Sequence, residues 1–215
     1  MAAGQTPISA EAGVSDQSHA AISPRAQAVR TQQSIDIDGR VDEAVWANAP
    51  VIRDFTQLDP TEGAPASERT EVRVLYDDES IYLAAMLYDS APVTTRLARR
   101  DGSMGDSDSF IVLFDSYHDH QTAYRFATNP SGMKQDELIS SGGNDGSWDP
   151  VWNVASQITS EGWSVEIQIP FSQLRFGREE AQVWGIQLER NIHRNQEHSV
   201  FAFTPKLERD RKSVV

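Results

Sequence analysis

The chain has 215 residues, a net charge of −13 and no cysteine, with 24% charged residues and a sequence pI near 4.7. That length accommodates one domain of about 150–200 residues. The acidic balance excludes a nucleic-acid partner, which requires a basic face, and disfavours an anionic membrane surface. The missing cysteines exclude a disulfide framework, thiolate zinc sites and a cysteine nucleophile.

Residues 1–33 are rich in Ala, Ser and Gln, carry few large apolar side chains and lack the basic-then-apolar layout of a signal peptide. They read as a disordered leader of the kind left after signal removal. The folded region is predicted over 34–205. IDIDG (35–39) alternates, and VDEAVWANAP (41–50) reads as one or two helical turns with Trp46 facing the core and Pro50 ending them. An edge-type strand follows at 51–58, then a Pro/Gly/Ser loop.

TEVRVLY (70–76) and SIYLAAMLYD (80–89) flank Asp77-Asp78-Glu79 as a hairpin. The second of these strands is apolar on both faces, which predicts a central strand covered on both sides. Further strands are predicted at 109–115, 122–130, 133–140, 151–159, 163–170, 182–192 and 198–203, with SSGGNDGSWDP (140–150) as a loop. In GWSVEIQIPFSQLRF (162–176), Trp163, Val165, Ile167 and Ile169 alternate with polar residues, and Pro170 ends the ladder because it has no N–H to donate. Trp184, Ile186 and Leu188 read as a buried face. Roughly ten strands with short turns and no βαβ rhythm predict an all-β, two-sheet antiparallel β-sandwich. The charged residues 206–215 read as a tail or truncated linker.

IDGRVDEAVWANA, VRVLYDDESIYLAAMLYD, DSDSFIVLFDSYHD and GWSVEIQIPFSQLRF, in that order over residues 35–204, resemble the family 9 carbohydrate-binding module-like domain, a DOMON-like sandwich. RRDGSMGDSDSF, SYHDHQTAYRFATNPSGMKQD, SWDPVWNVA and WGIQLERNIHRNQE resemble a subgroup in which the module precedes an outer-membrane β-barrel of unknown function. The resemblance implies poly- or oligosaccharide binding in carbohydrate catabolism or uptake, and a periplasmic or extracellular location. It also implies an accessory role beside a glycoside hydrolase or an outer-membrane barrel, with any hydrolysis belonging to the attached domain. The expectation is therefore a binding module and not an enzyme. The pair of clamping tryptophans of the sugar-binding members does not map onto this chain residue by residue.

Sugar rings stack on flat aromatic faces, and their hydroxyls take fixed polar partners. Trp148 and Trp152 flank the Gly-rich loop in NDGSWDPVW and are the candidate stacking residues; plugging the end of the sandwich is the alternative. Arg125, Asn129, Gln135 and Asp136 surround the NPSG turn as candidate hydroxyl partners, although Asn129 can equally serve the turn alone. Asp101, Asp106 and Asp108, with Asp145 and Asp149 in a second acidic loop, suggest a structural calcium, without matching an EF-hand.

His118-Asp119-His120 offers two imidazoles, too few by themselves for a metal site. The sequence contains no H-E-x-x-H, G-x-S-x-G or phosphate loop. Glu137 and Glu166 are the carboxylates a glycosidase pair would need, and Glu166 is more simply placed opposite Arg190 on a neighbouring strand. Two readings of other classes remain. One is a ligand-free docking or plug domain for an outer-membrane barrel. The other is haem b ligation through Met104 or Met133-Lys134.

Overall fold

A computed structural model of the chain describes residues 24–97, 100–179 and 181–209. Twelve strands form two sheets. The five-stranded sheet runs β1 (Val29–Arg30), β3 (Thr70–Tyr76), β4 (Ser80–Tyr88), β10 (Gly162–Pro170), β9 (Asn153–Thr159). The seven-stranded sheet runs β2 (Thr56–Asp59), β12 (Glu197–Val200), β11 (Gly185–Ile192), β5 (Ser109–Asp115), β6 (Ala123–Thr128), β7 (Lys134–Ser140), β8 (Gly143–Asp145). Neighbours pair antiparallel except β1 with β3. The predicted two-sheet sandwich is the observed architecture.

Period-2 alternation sets which side chains meet between the sheets. Val72 and Val74 of β3, Ile81, Leu83, Ala85 and Leu87 of β4, and Trp163, Val165, Ile167 and Ile169 of β10 face inward from the first sheet. Phe110, Val112 and Phe114 of β5, Tyr124 and Phe126 of β6 and Leu188 of β11 face them from the second. Strand β4 is covered on its other face too. There Tyr82 and Ala84, with Leu75 of β3, pack under Val45, Trp46 and Ala49 of a 3-10 helix at Ala44–Asn48. The predicted helical turns are this tighter helix, and Trp46 is in the core as expected.

The structure departs from the predicted boundaries in three places. Strand β1 lies within the span assigned to the leader, so Val29 and Arg30 are ordered by pairing with Leu75 and Tyr76; residues 1–23 of that leader lie outside the described residues. A two-residue strand in an Ala/Gln-rich stretch carries no periodicity to read. The segment predicted as a loop after Ser140 contains β8, which pairs back on β7. Lys206–Arg209 of the predicted tail form a short helix, while residues 210–215 lie outside the described residues.

Candidate functional site

One end of the inter-sheet core is built from aromatic rings. Phe114 and Tyr124 are register partners at the β5–β6 end, and each supports a partly buried tryptophan. Trp148 rests on Tyr124 with ring centroids 5.1 Å apart, and on Phe126 at 5.6 Å in an edge-to-face arrangement. Trp184 stands edge-on to Phe114 at 5.8 Å and is enclosed by Phe171 and Phe176. Both tryptophans thus stand over adjacent strands, braced from beneath and incompletely covered. Trp184 faces the core as predicted, and lying just before β11 it stays half-covered.

The six candidate sugar-binding residues do not converge. Trp152 is 1% exposed, packed edge-on against Phe126, and its indole N–H donates to Asp136 Oδ1 at 2.7 Å. Asp136 is itself 3% exposed and also accepts from Arg100 Nη2 at 2.9 Å. The expectation that these two meet a sugar is therefore corrected: both are committed to the interior and to each other. The reason is strand parity. Asp136 pairs with Phe126 in register, so it points into the core, whereas Arg125, Gln135 and Glu137 point to the opposite face.

Arg125 Nη1 donates to Gln135 Oε1 at 3.0 Å on that outer face, away from Trp148. Asn129 is buried and shapes the turn: its Oδ1 accepts the N–H of Ser131 and of Met133, both at 3.0 Å, and its Nδ2 donates to Arg96 O. Of the two predicted tryptophans, Trp152 is buried and Trp148 half-buried. Arg100, which sequence reasoning passed over, reaches its neighbourhood by pairing with the exposed carboxylate of Asp149 and donating to Pro150 O at 3.0 Å. Arg100 also lines a cavity of about 230 Å³ with Leu97, Ser131, Gly132, Met133 and Lys134. A larger cleft, about 610 Å³, runs along residues 24–27 and 50–54 and includes none of the tryptophans.

The five aspartates proposed for calcium are each engaged by groups of the fold, two of them by Arg100. Asp101 pairs with Arg100, Asp106 with Arg96 and Asp149 with Arg100. Asp145 accepts from Ser147. Asp108 is buried and accepts the N–H of Thr94 and of His193, both at 2.8 Å; burial holds its carboxyl above the ordinary range. Among the described residues they do not gather into a shared ligand set. Close arginines hold Asp101, Asp106 and Asp149, and backbone amides bond Asp108 and Asp145. The candidate haem ligands are likewise occupied: Met104 packs over Ile111, Leu113 and Ala127, Met133 is buried, and Lys134 donates to Trp152 O. Burial, with Arg100 nearby, lowers the Lys134 pKa.

Glu166 is fully buried on the outer face of the five-stranded sheet, beneath the 35–49 segment. It accepts from Trp46 Nε1 at 2.9 Å, Gly39 N at 3.0 Å and Asp38 N at 3.1 Å. Burial pushes its pKa up to about 7; the three donors oppose that shift, and Glu43 adds to it. Gly39 is indispensable here, because its φ is +87° and a Cβ would meet the Ser156 backbone at 2.8 Å. Glu166 is therefore neither the partner of Arg190 nor half of a glycosidase pair. Arg190 points into the core from the other sheet, and Glu137 lies on that sheet's far face.

The sequence matches the family described as carbohydrate family 9 binding domain-like over residues 37–203. No curated protein matches it. Among solved structures, a carbohydrate binding module family 9 from Caldicellulosiruptor kristjanssonii in complex with cellotriose is similar. It has a TM-score of 0.61 and 17% identity, with 86% of this chain and 87% of that chain covered. A carbohydrate binding module family 9 from Caldicellulosiruptor kristjanssonii in complex with glucose gives a TM-score of 0.59 at 17% identity, covering 85% and 89%. A protein of Bacteroides uniformis gives a TM-score of 0.63 at 11% identity, covering 81% and 87%.

Proposed function

The chain belongs to the carbohydrate family 9 binding domain-like family, and on that premise we propose that it is a non-catalytic module that binds an oligo- or polysaccharide. The observation that carries the reading is Trp148. Its ring is braced by Tyr124 and Phe126, so it presents a rigid, partly exposed face of the kind a pyranose stacks on. Pre-bracing matters energetically, because little side-chain freedom remains to be lost when a sugar arrives. The adjacent Asp149 carboxylate and Arg100 guanidinium supply acceptors and donors for ring hydroxyls.

The similar Caldicellulosiruptor structures hold cellotriose and glucose, which makes β-glucans the first ligands to try. An accessory role outside the cytoplasm, beside a glycoside hydrolase or an outer-membrane barrel, belongs to the same proposal. The test is a binding panel of soluble oligosaccharides and insoluble polysaccharides, read by calorimetry and by tryptophan fluorescence. Saturable binding to one glycan class with a change in tryptophan emission supports the proposal. Folded protein that binds none of the panel contradicts it.

A further inference from the structure

The turn joining β5 to β6 brings three ligand-bearing side chains to one point. Asp115, His118 and His120 each offer an atom within 4.8 Å of the others, and they are the only such group of His, Asp and Glu among the described residues. We propose that this turn is a binding site for a divalent transition-metal cation of the zinc class. The proposal is independent of the sugar reading.

The geometry is set by backbone as much as by side chains. His118 and His120 have φ of +52° and +56°, a left-handed region that non-glycine residues hold only where surrounding contacts fix them. Two left-handed residues so close together curl the chain back on Asp115 and bring the imidazole rings to a centroid separation of 4.8 Å. The Asp115 side chain is fully buried, and its direction is fixed by the N–H of Asp119 at 3.1 Å to Oδ1 and of His120 at 2.7 Å to Oδ2. Second contacts of this kind hold a metal ligand in orientation. His120 Nδ1 lies 3.9 Å from Asp115 Oδ2. That spacing approaches the edge of a zinc tetrahedron, about 3.3 Å for metal–ligand bonds of about 2.0 Å.

Chemistry narrows the cation. Two imidazole nitrogens and one carboxylate suit zinc, cobalt, nickel or copper, whereas calcium takes six to eight oxygens. Three protein ligands also leave a coordination position for water or an exogenous group. Both histidines are exposed, so an ion can reach them from solvent. This constellation differs from the calcium expectation in residues and in ligand type.

The test uses the full chain, stripped with chelator and titrated with Zn²⁺ by calorimetry and with Co²⁺ by visible absorption. The expected result is one Zn²⁺ per chain and a Co²⁺ ligand-field band. Both should be weakened about tenfold or more in His118→Ala/His120→Ala and unchanged in His193→Ala/His198→Ala. Because the exposed His118 and His120 contribute little packing, the first variant should melt with the wild type in chelator, which separates lost ligation from lost folding. A wild type that takes up no stoichiometric Zn²⁺, a His118→Ala/His120→Ala variant that binds undiminished, or displacement of Zn²⁺ by equimolar Ca²⁺ would each overturn the proposal.

Discussion

The two ends of the sandwich are closed by different chemistry. At the end where β5 begins, Arg190 lies 1% exposed between the sheets and donates to Arg69 O at 3.0 Å, Thr70 Oγ1 at 3.1 Å and Tyr88 O at 2.6 Å. Arg194 completes that end by bonding Asp89 at 2.6 Å and Glu68 at 2.7 Å. At the end where β5 finishes, Phe114, Tyr124, Phe171 and Phe176 do the sealing, with Trp148 and Trp184 above them. The polar end directs its donors inward, to carbonyls and carboxylates of the fold. The aromatic end leaves Trp148 and Trp184 only partly buried, and an aromatic ring packed from one side can still meet a ligand with the rest of its surface. Binding capacity at this fold's ends follows from what the sealing groups have left to offer.

Arg190→Ala breaks the polar end and carries the largest expected effect. It removes the donor to the Tyr88 carbonyl and the Thr70 hydroxyl, leaves Arg69 O with the Tyr88 N–H alone, and takes away the positive charge beside buried Asp89, for a loss of about 3–5 kcal/mol in denaturant unfolding. Arg190→Lys should recover little of this, because an ammonium cannot span acceptors on both β3 and β4 as the planar fork does. If either variant unfolds like the wild type, the polar end is not what holds the sheets together there.

The outer cap over Glu166 responds to pH. The folded chain holds this proton more tightly than the unfolded chain, whose carboxyl has the ordinary value near 4.5. The resulting stabilisation is complete below about pH 4.5 and is lost as pH rises through about 7. Buried Asp108, also raised, contributes in the same direction. Melting temperature should therefore fall from pH 5 to pH 8 in the wild type and fall less steeply in Glu166→Gln; parallel curves would remove Glu166 as the cause.

Removing the ring in Trp148→Ala should cost only about 1–2 kcal/mol, since its contacts are two ring pairs at a half-covered position. A loss comparable to that of Arg190→Ala would make Trp148 a core residue and abolish the contrast between the ends. The smallest effect belongs to Arg125→Ala. Its partner Gln135 shares the outer face, so stability should change by less than about 0.5 kcal/mol and glycan binding not at all. A measurable loss of glycan binding there would move the site to the outer face of the seven-stranded sheet.

Much of the fold was legible because alternation is a local signal. GWSVEIQIP declares its buried face within nine residues, and β4 declares two. The site was less legible because it depends on which faces meet. Parity held a usable clue: Leu138 and Asp136 share a face, as do Leu188 and Arg190, so each charged residue was already marked as buried beside an apolar one two positions away. The junction of Arg100 with Asp136, Asp149 and Pro150 had no such marker, since its partners lie 36, 49 and 50 residues along the chain. The convergence of Asp115 with His118 and His120 was hidden as well, because it needs two left-handed residues that nothing in HDH announces.

The most direct measurement is calorimetric titration of wild type and Trp148→Ala with cellotriose and with whichever glycan the binding panel selects, each protein checked by its melting curve. The braced-ring reading predicts saturable wild-type binding that weakens about tenfold or more in the variant while the fold persists. Equal affinity in the two proteins would contradict it, as would a wild type that binds no glycan.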